Sequence, residues 1–478
     1  MSFSTLEIGK KALLAQRFGL EVTSNNIANA NTKGFSRRDA QFSQTSPLYE
    51  YGQFVGSGVL AQKLRSFRED FFDREIRNTI NRESGLTTDE KILDRVETVI
   101  AEPSEENLNE SVTKFFRSFD ELALKPESVG IRESVIELGK TVADKFNYIS
   151  QGMLEAKKET YIDASALINE ANRLIDQIAS LNAAFSSNRN ITGEEELSLI
   201  DEREVKLENL SKLFKVNVTK DPDGTANVFI NGMDVVTKTK STNLKLEETI
   251  DPDTEEWHLK LTRVDKKGNF LSNLDPVSGE MASMIYHYNV TLDDKDTSGN
   301  FSAARRLNDF AQAITDNVNK VLSQGYGLDD TDPAAPGRRM FEISNTGPAM
   351  QMKVSDDLWN RPRDLPLSGR PGEPGNSEIA RRVARLADKD DFIDGDDYTE
   401  YYAAFLGKLG SYSREVKDNL LNISKINETL QNQRESMIGV NMDEEAINLV
   451  KFQKAFEAAS RIVSVTNEMM GTVINMGL

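Results

Sequence analysis

Asn441-Met-Asp-Glu-Glu-Ala-Ile-Asn-Leu-Val-Lys-Phe-Gln-Lys-Ala-Phe456 opens a run whose apolar residues return every seven positions: Met442, Leu449, Phe456, Val463 and Met470. Phe452, Ala459, Thr466 and Val473 each follow a member of that row by three. One stripe held over four heptads predicts a long helix that buries a narrow face against a second helix, as in a coiled coil. Asn441, with Glu444 three residues on, has the spacing of a capping box.

The opposite end of the chain offers the partner. Leu6, Leu13, Leu20 and Ile27 also recur every seven, and Phe3, Ala12, Phe18 and Ala28 widen that face. Asn31-Thr-Lys-Gly34 then stops the pattern, with Gly34 suited to a left-handed position just past a helix end. Two thin stripes at the ends of one chain satisfy each other if the helices pair. Residues 1–34 and 441–478 are therefore expected to form one terminal coiled-coil domain.

The chain between them divides by periodicity. Residues 36–66 carry Gly and Ser punctuation, with Gly56-Ser-Gly-Val59 before an alternating run, which suggests extended structure or a hairpin. Helical spacing dominates from Phe67 to about Leu213. Short β-prone runs follow, parted by the turn signals Asp221-Pro-Asp-Gly224 and Asn231-Gly232. Helical spacing returns near Ser302, and residues 399–437 form a last helical stretch. Seven of the 13 prolines lie in 333–374, which should be irregular and exposed. The expected fold is mainly α with an inserted β-rich domain at 216–292. A mainly helical domain (35–215 with 293–440) joins that small outer β domain to the paired terminal helices.

Composition narrows the function. The 478 residues carry a net charge of -19, and only residues 1–82 lean basic, with 12 Lys/Arg against 8 Asp/Glu. An acidic body lacks the basic face that nucleic acid requires. No run approaches the 18 apolar residues of a membrane span, so no membrane insertion is expected. The first residues lack the apolar core and small-residue cleavage site of a secretory signal peptide. With no cysteine, thiolate metal sites, disulfides and cysteine nucleophiles are excluded. The two histidines, His258 and His287, stand 29 residues apart and read as structural or surface residues. Asp221-Pro-Asp-Gly224 has its glycine too early for a calcium loop, so a β-turn is the better reading. Asp390-Asp391 and Asp394-Gly-Asp-Asp397 read as a solvated acidic loop. No cofactor, metal or catalytic constellation is indicated.

Ser24-Asn-Asn-Ile-Ala-Asn-Ala-Asn-Thr32 places four asparagines, Asn25, Asn26, Asn29 and Asn31, where a sequence selected only for helix would use better formers. Amides donate and accept at once. Polar contacts between neighbouring copies are expected of Asn26 and Asn29, against the plainer reading of a helix fraying into an Asx-rich turn.

Six segments carry a resemblance. Asn25-Asn-Ile-Ala-Asn-Ala-Asn-Thr-Lys-Gly-Phe-Ser36 resembles the N-terminal signature of flagellar rod, hook and hook-associated proteins. Gly56-Ser-Gly-Val59 and Phe71-Phe-Asp-Arg-Glu-Ile-Arg77 resemble the segments that follow it. Arg434-Glu-Ser-Met-Ile-Gly-Val-Asn-Met-Asp-Glu-Glu-Ala446 with Phe452-Gln-Lys-Ala-Phe456 is similar to the C-terminal signature of the hook-associated protein 1 branch, as is Gln324-Gly-Tyr-Gly-Leu328 to a mid-chain segment. Lys33 stands where a proline is common, and Glu75 where a glutamine is. The resemblance implies a structural, non-enzymatic subunit of the extracellular flagellum, exported without a cleaved signal and polymerised at the hook–filament junction. The terminal domain would line the inner tube and the helical domain the outer. The implied partners are further copies of the chain, the hook protein, the second junction protein, and an export chaperone holding the C-terminal helix. Leu6, Leu13, Leu20, Asn25, Asn26, Ile27, Asn29, Asn31 and Gly34 would serve assembly at one end. Met442, Leu449, Phe452, Phe456, Val463, Met470 and Val473 would serve assembly and chaperone binding at the other. A distal rod or hook subunit, or a secreted flagellum-associated enzyme, are the competing readings.

Overall fold

The computed structural model describes residues 2–476 apart from 51–52, 102–106, 188–192, 251–256, 295–299, 335–336 and 345. Helix α1 (Ser2–Ala28) leads into hairpin strands β1 (Arg38–Gln44) and β4 (Val59–Ser66), whose far end carries the small pair β2 (Leu48–Glu50) and β3 (Gln53–Val55). Four helices follow: α2 (Asp70–Ala101), α3 (Leu108–Leu124), α4 (Val129–Ser187) and α5 (Glu194–Leu213). At 59 residues α4 is roughly 90 Å long, and it is the spine on which the rest is laid.

Seven strands come next. Strands β5 (Val216–Lys220), β6 (Ala226–Ile230), β7 (Met233–Thr237) and β8 (Lys240–Ser241) form one antiparallel sheet. Strands β9 (Asn243–Ile250), β10 (Trp257–Val264) and β11 (Phe270–Asn273) form a second, with β10 central. Both turn signals act as turns: Gly224 adopts φ 83°, and Asn231 and Gly232 adopt 48° and 78°. The strands stop at Asn273, short of the expected 292. Residues 280–291 are instead helix α6 (Glu280–Tyr286) running into a π-turn (His287–Thr291). Helix α7 (Ala303–Leu322), strands β12 (Phe341–Glu342) and β13 (Lys353–Val354), α8 (Glu378–Ala384), α9 (Tyr398–Ile438) and α10 (Met442–Met476) complete the chain.

One continuous apolar core runs from Ile92 on α2 through Phe115, Phe116 and Phe119 on α3 and along α4 to the strands. The β region is therefore laid against the spine, with Val228, Val235, Leu244 and Leu261 inside the shared core. The 333–374 segment is irregular, as its prolines dictate, yet much of it is not exposed. Leu358, Leu365 and Leu367 are fully buried, while Gly337, Asp356, Asn360 and the stretch around Arg370-Pro-Gly-Glu-Pro-Gly375 face solvent. Its loop carbonyls need donors, and buried Arg132 of α4 bonds the Leu365 carbonyl at 2.6 Å while holding the Pro126 carbonyl of the α3–α4 connection at 2.6 Å. Burial, with Arg363 nearby, pushes the Arg132 guanidinium down to about 10.

A recurring device joins helices to strands. Asn172 and Asn182 of α4 each grip both main-chain groups of one strand residue, Leu244 and Ala226, at 2.7–3.1 Å. Asn289 holds Leu259 in the same way, and Asn319 holds Phe341. A side-chain amide offers a donor and an acceptor in the plane that a neighbouring strand would. It satisfies backbone groups that would otherwise be buried unpaired.

Candidate functional site

The two ends of the chain lie side by side. Gly9 faces Val463, Gly19 lies under the Phe452 ring, and Asn26 faces Glu445, so α1 and α10 pair antiparallel in a single register. A Cβ on Gly19 would stand 2.7 Å from that ring, and one on Gly9 2.8 Å from Val463, so the bare backbones set how closely the helices approach. The buried row of α10 is Glu445, Ala459 and Thr466, with Leu449, Phe452, Phe456, Val463 and Met470 half-buried beside it. Met442 and Val473 do not belong to the buried face: they are 50% and 69% exposed. Leu6, Leu13, Leu20 and Ile27 are half-buried, and Phe452 also meets hairpin residue Phe42 at 6.0 Å.

Where this pair meets the body, polar chemistry takes over. Asn26 is 1% exposed; its amide accepts from the Arg38 N–H at 3.1 Å and donates to the Arg38 carbonyl at 2.9 Å. Its second N–H reaches Glu445 at 3.2 Å. Asn26 is thus another helix-to-strand stitch, and its capacity is spent inside its own chain rather than on a neighbouring copy. Asn29 donates to the Asn25 carbonyl and side chain and accepts from Thr32, which is the local Asx turn. Asn31 is exposed. Gly34 has φ +85°, but it closes a turn six residues beyond the end of α1 rather than capping the helix directly. Asn25, Asn29 and Lys33 still border an open cleft of about 630 Å³ against Glu194, Glu195 and Glu202 of α5.

Glu445, only 2% exposed, is held by Arg37 Nε at 2.8 Å as well as by Asn26, and Glu444 meets the same guanidinium at 2.9 Å. Asn441 caps α10 by accepting from the Asp443 and Glu444 N–H groups. Glu444 turns outward to Arg37 instead of back to Asn441, so the reciprocal half of the capping box is missing. The Arg37 N–H donates to the Ile438 carbonyl at 2.8 Å, tying the start of β1 to the end of α9.

A second layer fastens this to α2 and α5. Asp201 accepts from the Ser36 hydroxyl at 2.8 Å and from Arg68 at 3.2 Å, and Arg38 lies 3.5 Å from it. Arg68 also meets Asp73 at 3.3 Å and the Gly34 carbonyl at 3.0 Å. Arg77 pairs with Glu204 at 2.7 Å, and Arg434 of α9 pairs with Glu208. Burial works against the Arg68 cation, but Asp73, Glu204, Asp201 and Glu208 around it more than offset that, and it is held above its ordinary value. Burial pushes the Asp73 carboxyl up despite Arg68, and nearby Glu204 adds to that.

Three of the segments that carry the sequence resemblance therefore meet at one place. Asn26 to Ser36, Asp73 with Arg77, and Arg434 with Glu444 and Glu445 interlock across α1, β1, α2, α9 and α10. Sequence reading missed Asp201, Glu204 and Glu208, because an acidic row on a helix looks the same whether solvated or buried. It also missed Gly9 and Gly19, whose only signal was their place on the apolar face of α1.

One further cluster bears on catalysis. Asp89 accepts from Ser283 and lies 3.1 Å from buried His287 Nε2, while His287 Nδ1 meets Thr291 at 2.8 Å. The carboxylate stands between serine and histidine, and the serine hydroxyl is also bonded to the Gly85 carbonyl. Nucleophile activation requires the histidine to contact the serine, so this trio holds α6 and the π-turn against α2. Among the described residues no group of three or more His, Cys, Asp or Glu could hold a metal, and no helix is long and apolar enough to cross a membrane. Asp397, in the acidic loop, caps α9.

Comparison with known proteins gives a consistent pattern. The sequence model of the flagellar hook-associated protein FlgK helical domain matches residues 93–341. The flagellar basal body rod protein model matches residues 6–35, and the FlgEFG C-terminal model matches 431–476. The chain is 25% identical to flagellar hook-associated protein 1 of Bacillus subtilis over 99% of its own length and 98% of that protein's. It is 21% identical to the Salmonella typhimurium protein of the same name, covering 99% and 100%. A solved structure of the flagellar hook junction protein FlgK from Burkholderia pseudomallei superposes with TM-score 0.47 at 18% identity, over 57% of this chain and 47% of that one.

Proposed function

The chain belongs to the flagellar hook-associated protein FlgK family, and from that premise we propose that it is the structural subunit joining hook to filament. The observation that carries the mechanism is the interlock, where both chain ends and the body are fastened by buried ion pairs. Such a joint lets the paired terminal helices act as an inner layer and the α2–α9 body as an outer one, with load passing between them through Arg37 and Arg68.

The terminal pair also has surface to spare. Ile447, Val450, Ile462, Val465, Met469 and Val473 of α10 are exposed, forming a second apolar stripe beside the one that meets α1. Exposed apolar surface of this extent marks an interaction site. The occupants that fit are neighbouring copies after assembly, with hook protein and the second junction protein above and below. Before assembly the same stripe suits an export chaperone. Leu6, Leu13, Leu20 and Ile27 and the α10 seam supply the internal half of that inner layer. Asn25 and Asn29, at their open cleft, remain available for polar contacts between copies. Export of the unfolded chain to the growing flagellum belongs to the same proposal. Its role is mechanical rather than catalytic, in keeping with the spent Ser283–Asp89–His287 grouping.

Deleting the gene tests this directly. Hooks that lack filaments, with flagellin shed into the medium, are the expected result. Normal filaments on the deletion strain would overturn the reading.

A further inference from the structure

We propose that Glu445 is the register-determining residue of the terminal helix pair, working through Asn26 and Arg37. The inference rests on the reading that α1 and α10 work as a pair, and it concerns what fixes their alignment.

The apolar stripes cannot fix it alone. Leu6, Leu13 and Leu20 repeat an identical side chain every seven residues, and the α10 rows repeat at the same interval. A slip of one heptad exchanges leucine for leucine and leaves most of the seam apolar. Such a slip moves the helices by roughly 10 Å, seven residues at about 1.5 Å each. The two glycine contacts add preference, yet Val463 and Phe452 are side chains that can turn aside.

Glu445 is different because it lies in the buried row itself, in line with Phe452, Ala459 and Thr466. In the observed register its carboxylate meets Asn26 and Arg37 Nε. One heptad of slip in one direction carries it against Gly19, where neither group can reach, leaving a charge buried unpaired. Slip in the other direction sets Phe452 against Asn26 and removes the acceptor of its second N–H. A single buried polar contact in an otherwise apolar seam is a well-attested way of excluding alternative registers, at some cost in stability. Arg37 keeps Glu444 when Glu445 is changed, so the substitution strands no cation.

The cysteine-free sequence permits clean labelling. Spin labels on cysteines replacing exposed Arg17 and Glu468 would stand roughly 20 Å apart along the helix axis, counting residues in the observed register. Double electron–electron resonance on the labelled full chain, purified and diluted with unlabelled chain in detached flagella, reads that separation. The parent should give one distance. Glu445→Leu should keep or raise helicity and add a second distance displaced by roughly 10 Å. Glu445→Gln keeps one acceptor oxygen but sets an NH2 against the other donor, so it should populate the second distance less than Glu445→Leu does. One unshifted distance in Glu445→Leu, in flagella or in purified chain, would overturn the proposal, as would a second distance in the parent. Filament loss on gene deletion tests the function, whereas this distance reports register whether or not filaments form.

Discussion

Helix α3 and the terminal pair solve the same problem with opposite means. Within 17 residues α3 buries Leu108, Val112, Phe115, Phe116, Phe119 and Leu122 completely. Helices α1 and α10, with 27 and 35 residues, bury only Ala15, Val22 and Ala459 among their described apolar side chains. Helix in water is marginal without tertiary burial, so α3 is held by its own core while the terminal pair depends on the interlock and on neighbours. The lesson is one of division: α3 finds its burial within the chain, whereas the terminal helices leave most of their apolar side chains half-buried or exposed.

The comparison can be broken hardest at the body. Phe116 meets Tyr398 at 5.4 Å and Phe392 at 6.1 Å, joining α3 to the start of α9. Phe116→Ala should cost about 4 kcal/mol, seen as a lower denaturant midpoint for the whole body. A loss below about 1 kcal/mol would show that α3 is not the keystone it looks.

Next in size is the interlock. Arg68→Ala leaves Asp73 and Asp201 without their shared cation, and breaking a buried pair in this way costs roughly 3 kcal/mol. Chemical denaturation should show it in the body transition, because Asp73 and Asp201 belong to α2 and α5. A change confined to the terminal helices would place the network wrongly.

A smaller effect isolates the pair. Gly19→Val forces the Phe452 ring aside, an overpacking cost of about 1–3 kcal/mol. It should weaken motility and leave the melting of the body unchanged. A shifted body transition would mean that the two regions are not separable.

The smallest effect concerns charge. Asp73 titrates above its ordinary value. A group raised in this way contributes stability that is full below its unfolded pKa and lost as pH rises through the folded one. The stability of Asp73→Asn relative to the parent should therefore improve from pH 4 to pH 7. The opposite slope would mean that Arg68 outweighs burial at that carboxylate.

These regions also differ in how far their sequences disclose them. The heptad rows at both ends and the helical spacing of 67–213 were legible because periodicity reports a buried face directly. The turns at Gly224 and Asn231-Gly232 were legible because few residues tolerate positive φ. Asn26 was not, since the same amide suits a neighbour's contact and a grip on Arg38. Nor was Glu445, which reads as an ordinary first-turn acid until Arg37 and Asn26 are seen around it. The burial of Leu358, Leu365 and Leu367 among prolines stayed hidden because irregular backbone is usually exposed, and Arg132, which makes that burial possible, lies far away in sequence.

Amide hydrogen exchange on the purified, verified monomer tests the central claim most directly. The account predicts exchange within seconds to minutes across 4–28 and 442–476, beside protection lasting hours in α3 and the middle of α4. Protection of both terminal helices as strong as that of α3 would contradict it.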